Sequence, residues 1–131
     1  MAEVPSGLRY VQDHHWVAQV EPGTVRMGVT DFAQESLGDV VAVELPPVGT
    51  ATTAGVAMGE IESTKSVSDL VAPVTGTVSA VNESVAEQPE IVNTDPYGSA
   101  WLVEIAIEQA APTSPLQALL TASEYARLTG Q

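Results

Sequence analysis

The chain has 131 residues, of which 44% are hydrophobic and 16% charged, enough apolar content for one domain to bury a core. A formal charge of −13 would be repelled by a nucleic-acid backbone or an anionic lipid surface, so neither is expected as a partner. The sequence holds no cysteine, which excludes disulfides, thiolate metal sites and a cysteine nucleophile.

The first nine residues lack a cationic start followed by an apolar run, and no stretch is long enough to span a bilayer, so a cytoplasmic protein without a targeting segment is expected. Val, Ala and Thr dominate, with Gly and Pro recurring at short intervals, which predicts a mainly β fold. Residues 8–11, 16–20 and 24–27 read as extended, with a turn at Glu21-Pro22-Gly23. Asp31 is expected to cap a short helix, with Gln34 three positions on, Gly38 at its end, and Phe32, Ala33 and Leu37 on its apolar side.

Residues 40–45 form a β-branched run stopped by Pro46-Pro47 and Gly49. Residues 56–61 and 67–71 are two more strands, joined by the polar segment Glu62-Ser63-Thr64-Lys65-Ser66. A turn at 73–76 precedes a strand at 77–81, and 82–90 reads as a partly helical surface loop before Ile91-Val92 tucks into the core. After the turn Asp95-Pro96-Tyr97-Gly98, the residues Trp101, Val103, Ile105 and Ile107 alternate with Leu102, Glu104, Ala106 and Glu108, the pattern of a half-buried strand. Pro115 fits the first position of a helical tail after Ser114. Thr121 with Glu124 forms a capping box before Gly130, and Leu116, Leu119, Leu120, Tyr125 and Leu128 are available for docking on the sheet. The expected organisation is a single domain over 1–131, with a β core at about 8–110 and a tail at about 115–129. Tyr10, Trp16, Tyr97 and Trp101 read as core aromatics. The segments beginning at Gly38 and Gly76 share Gly, Val, Ala and Val at matching places, a short echo consistent with two pseudo-symmetric sheets.

Only four side chains are basic, and Lys65 is the sole lysine. Its place at a hairpin tip presents the amine to a modifying enzyme, with the small neighbours Ser63, Thr64 and Ser66 permitting close approach and Glu60, Glu62 and Asp69 supplying charge nearby. No nucleophile with an adjacent base accompanies it. Asp13, His14 and His15 could be read as a metal or acid–base site, but neighbours on a strand point to opposite faces, so no metal is expected.

The stretches 13–16, 28–35, 37–46, 60–70, 72–76, 81–82, 92–93 and 95–98 resemble, in order, the H-protein of the glycine cleavage system. The resemblance covers nearly the whole chain and implies a barrel-sandwich hybrid fold of the lipoyl/biotinyl type. It implies a carrier with no catalysis of its own. In that family the lysine of a Glu-Ser-x-Lys-x-x-Ser-Asp pattern carries lipoic acid in amide linkage, which implies attachment at Lys65 within Glu62, Ser63, Ser68 and Asp69. The implied partners are a lipoate-attaching enzyme, glycine decarboxylase, aminomethyltransferase and dihydrolipoamide dehydrogenase, the arm passing an aminomethyl group between the second and third and being reoxidised by the last. The chain departs from the family's common His-Glu-Trp with His14-His15-Trp16. The acidic residue there is associated with holding the amine of a loaded arm, whereas His15 accepts a hydrogen bond only when neutral and repels that amine when protonated. Asp69 matches and is the expected arm contact.

A biotin carrier would resemble Met-Lys-Met where this chain has Thr64-Lys65-Ser66, and a lipoyl domain of a 2-oxoacid dehydrogenase would continue through an Ala/Pro linker. A related lipoate carrier serving sulfur oxidation or lipoyl relay is the nearest alternative, and an interaction module with an unmodified lysine is a third.

Overall fold

The computed structural model describes residues 7–11, 14–21, 23–107 and 119–129. In chain order its strands are β1 (Arg9–Val11), β2 (His15–Glu21), β3 (Thr24–Val29), β4 (Val40–Glu44), β5 (Ala51–Thr52), β6 (Ala57–Ser63), β7 (Val67–Val71), β8 (Gly76–Val81) and β9 (Val103–Ile107). The helices are α1 (Asp31–Leu37), α2 (Glu83–Glu87), α3 (Ile91–Thr94) and α4 (Ala122–Leu128). Two antiparallel sheets result, one of six strands in the order β1-β2-β3-β9-β8-β5 and one of three in the order β4-β6-β7. The expectation of a mainly β fold with two sheets holds. The sheets are unequal, and the two echoing segments fall in different ones, at β4 and β8.

One apolar core joins the sheets: Val17 and Met27 from the larger and Val40, Ile61 and Leu70 from the smaller are all buried in the same cluster, along with Val78 and Ile105. This shared burial makes the arrangement of β7 relative to β2 and α1 a packed one. A second cluster of Tyr10, Trp16 and Tyr125 has Tyr97 and Trp101 packed against it, so the aromatics serve packing as expected. Trp16 is fixed in place because its Nε1 donates to the carbonyl of Pro96 at 2.8 Å. The tail docks through reciprocal backbone bonds between Tyr10 and Leu120, 2.9 and 2.8 Å. The Tyr125 ring stacks on that of Tyr10 at 4.7 Å.

Some local expectations are corrected. The cap of α1 is Thr30, whose extended backbone lets its hydroxyl accept from Ala33 N; Asp31 is the first helical residue, and its carboxylate accepts from Gln34 Nε2 at 2.6 Å. The stretch 82–90 is partly helical as expected: it contains α2, because the Asn82 side chain accepts from Ser84 N and turns the chain into a helix. Ile91 and Val92 lie in α3, with Val92 fully buried. The short strand β5 has no counterpart among the expected elements, and Leu102, placed on the outer face by alternation, is buried. It lies before β9 and its amide bonds to Met27 O, outside the strand's regular alternation. The Thr121–Glu124 capping box is present on α4. Pro22, Glu108, Ser114, Pro115, Leu116 and Gly130 lie outside the described residues. No helix among the described residues is long and apolar enough to cross a membrane.

Candidate functional site

The hairpin of β6 and β7 pairs Glu60 with Asp69, Ile61 with Ser68 and Glu62 with Val67, leaving 64–66 as its tip. Ser63 closes that tip. It is nearly buried, its amide donates to Ser66 O at 2.8 Å, and its Oγ accepts from the amides of Lys65 and Ser66, each at 3.2 Å. A side-chain oxygen that satisfies two turn amides restrains a segment with no strand pairing of its own. Lys65 itself is exposed.

The tip also rests on the turn between α1 and β4. Thr64 N donates to Asp39 O at 3.0 Å. Gly38 lies under the lysine stem, where a Cβ would stand 3.1 Å from Lys65 Cε. Its φ of 78° is in the left-handed region that glycine occupies without strain. Asn93 of α3 holds this turn from the far side: its Nδ2 donates to Gly38 O at 2.7 Å and to Gln34 Oε1 at 3.1 Å, while its Oδ1 accepts from Val40 N at 2.9 Å.

Beside the tip, a cleft of about 280 Å³ opens between β7, α1 and the start of β2. Ser66, Val67, Ser68 and Asp69 form one wall; Ala33, Ser36 and Leu37 of α1 form another; His14, His15, Val29 and Ile61 complete it. His15 is buried and His14 partly so. The alternation argument that separated these two residues does not apply, because His14 precedes β2 with a φ of 67° and both line the same cleft. His14 Nδ1 lies 2.8 Å from the Tyr125 hydroxyl, which is also 2.7 Å from Thr30 Oγ1. Burial pushes the Tyr125 phenol above its usual value, partly offset by the Thr30 bond. Among the described residues no group of three His, Asp or Glu is placed to hold a metal ion. Asp13 lies outside them.

The sequence profile described as glycine cleavage H-protein matches residues 8–131. A glycine cleavage system H protein of Mycobacterium bovis is 52% identical over 128 residues, covering 95% of this chain and 96% of the relative. One of Micrococcus luteus is 52% identical with 98% and 99% coverage. The crystal structure of a glycine cleavage system H protein from Mycobacterium marinum superposes with a TM-score of 0.86 at 43% identity, covering 98% of this chain and 100% of the other. The chain belongs to the glycine cleavage H-protein family. Members of that family are non-catalytic lipoyl carriers of the glycine cleavage system, and that is the class of this chain.

Set in that family, the residues singled out by sequence fall in three places. Lys65 and Ser63 lie at the tip, Ser68, Asp69 and His15 line the cleft beside it, and Glu62 is exposed on β6 without lining that cleft. Glu62 pairs across to Ala42 and Val67 and borders a second, smaller recess with Glu44 and Glu60. Sequence reasoning did not single out Gly38 and Asn93 as site residues. Gly38 reads as a helix stop and Asn93 falls in a matched stretch without an assigned partner; neither position announces its contact, Lys65 for Gly38 and the Gly38 carbonyl 55 residues back for Asn93, since only the folded register brings these segments together.

Proposed function

We propose that Lys65 carries lipoate in amide linkage, and that the chain shuttles the aminomethyl fragment of glycine from glycine decarboxylase to aminomethyltransferase, with dihydrolipoamide dehydrogenase reoxidising the arm. The observation that carries this reading is the sole lysine standing exposed at a closed hairpin tip beside a cleft. The residues fit the group. The chain has no thiol of its own, the flanking tip residues are small, and the cleft joins apolar walls to one carboxylate, Asp69. When attached, lipoate supplies a reversible dithiol–disulfide couple at the end of a flexible tether.

The chain's own residues anchor, orient and shield. Ser63 restrains the tip so that the acylated lysine leaves the hairpin from a fixed base. Glu62, exposed beside the tip, offers a carboxylate for recognition by a lipoate-attaching enzyme. Within the cleft, Asp69 attracts the cationic amine of a carried fragment, and Val29, Leu37 and Ile61 limit access of water to it. His15 takes the place where the family commonly has a carboxylate, so it accepts from that amine only while the imidazole is neutral. Tethering keeps the fragment at a high effective concentration for the next enzyme.

Intact mass tests the attachment. Co-expression with a lipoate-attaching enzyme adds one lipoyl group to the wild type and none to Lys65→Ala; a wild type left unmodified while a control carrier is modified overturns the assignment. The lipoylated protein then supports exchange of the glycine carboxyl carbon with bicarbonate by glycine decarboxylase, and failure there removes the shuttle reading.

A further inference from the structure

We infer that Asn93 is a positioning residue for Lys65, fixing the Gly38–Asp39 turn on which the lysine stem lies and so setting the direction in which the stem leaves the hairpin. The inference rests on the reading of Lys65 as the acylated lysine, and it begins from geometry that this reading does not use. Asn93 commits its whole amide to one short segment: both donors and the acceptor reach Gln34, Gly38 and Val40. A side-chain amide with its donors and acceptor engaged in this way has one orientation, and it fixes the backbone groups it binds.

Two contacts carry that restraint to the lysine. The Asp39 carbonyl accepts from Thr64 N at 3.0 Å, coupling the turn to the residue before Lys65. Gly38 then presents a surface with no side chain to the lysine stem, and a Cβ there would lie 3.1 Å from Cε and 3.6 Å from both Cδ and Nζ. Gly38 follows directly on Ser36 and Leu37, which line the cleft, so a stem lying across it is held at the cleft's rim. Without Asn93, the carbonyl of Gly38 is free to rotate, the turn relaxes, and Lys65 samples the ordinary range of its rotamers.

The experiment uses the fact that Lys65 is the sole lysine, so labelled lysine gives one spin system in the full chain. In the wild type, nuclear Overhauser effects connect the Lys65 Hε protons to the Gly38 Hα protons. In Asn93→Ala this contact is lost at a temperature where circular dichroism shows native content, and kcat/KM for lipoate attachment falls about tenfold, as misalignment of a reacting group costs rate. Asn93→Asp keeps an acceptor for Val40 N but has no donors for Gly38 and Gln34, and gives the same result if the alanine variant melts early. Gln34→Ala removes one partner of Asn93 while leaving the Gly38 bond, and retains the contact. Wild-type Overhauser intensity together with wild-type attachment kinetics in folded Asn93 variants overturns the inference. A wild type that shows the contact and loses it in the variants, but accepts no lipoate, leaves the positioning intact and refutes the Lys65 attachment instead.

Discussion

Tyr125→Phe isolates the link between the C-terminal helix and the cleft. The ring of Tyr125 is fully buried and stacked on Tyr10, and phenylalanine keeps both the volume and the stacking. What is removed is one hydroxyl, within 2.7 Å of Thr30 Oγ1 and 2.8 Å of His14 Nδ1. Each buried bond contributes about 0.5–1.5 kcal/mol net, and a buried polar atom left behind adds to the cost, so the substitution is expected to destabilise the chain by roughly 1–3 kcal/mol. Thr30 still accepts from Ala33 N, so the cap of α1 survives and the loss stays below that of Tyr125→Ala, which would also remove the stacked ring at a cost of about 3–5 kcal/mol. Urea unfolding monitored by circular dichroism measures this as a lower midpoint at unchanged slope. A Phe variant with the wild-type midpoint would show that neither bond contributes, and the tail would then be held by packing and the Tyr10–Leu120 backbone pair alone.

Alkaline pH probes the same hydroxyl: the Tyr125 phenol is raised above its ordinary 10.0, so its contribution is complete below that value and is lost as pH rises through the folded-state value. Phenolate absorbance should therefore include a late contribution from Tyr125, and Tyr125→Phe should remove that contribution. At the other extreme, hydrogen bonds from Ser99 to Asp95 and from Thr121 to Glu124 lower both carboxyls below 3.8 and 4.5 respectively, so their stabilisation is present above those values and lost as pH falls through the depressed ones. Glu124→Gln is expected to flatten the acid limb of a plot of Tm against pH, and an unchanged limb would rule out its part. Gly28→Ala places a Cβ 2.7 Å from Trp16 Nε1, a ring pinned by Pro96, and should cost about 1–3 kcal/mol with an altered Trp fluorescence spectrum. Asp69→Asn removes the carboxylate of the cleft; with an exposed pair contributing about 1 kcal/mol or less, loss of a carried amine should quicken up to about fivefold, read as formaldehyde released over time.

Strand positions were legible because they depend on local pattern. The extended segment at β7 has the expected limits, and the capping box at Thr121 and Glu124 forms as its spacing requires. The lysine at the tip was legible for the same reason: a polar segment between two apolar runs makes a hairpin whatever the rest of the chain does. The cap of α1 went to Thr30 because backbone conformation and the Ala33 amide, not spacing to Gln34 alone, choose the capping side chain. The joint exposure of His14 and His15 to one cleft depended on a positive φ at a non-glycine residue, which no composition rule signals. Asn93 and Gly38 were hidden because their roles are long-range, each defined by a partner that only the packed sheets bring near.

Strand β7 ends its sheet, and among the described strands none pairs with its outer side. An open edge of this kind is a standing invitation for another chain to add a strand. Here the sequence along that edge is Val67-Ser68-Asp69, exposed and carrying a carboxylate where an incoming apolar strand would have to dock. The same side chains that shape the cleft thus discourage strand addition. A bulkier, more apolar β7 would close the cleft and create a sticky edge in one change, so the polarity of this strand ties the carrier's capacity to hold cargo to its capacity to stay dispersed.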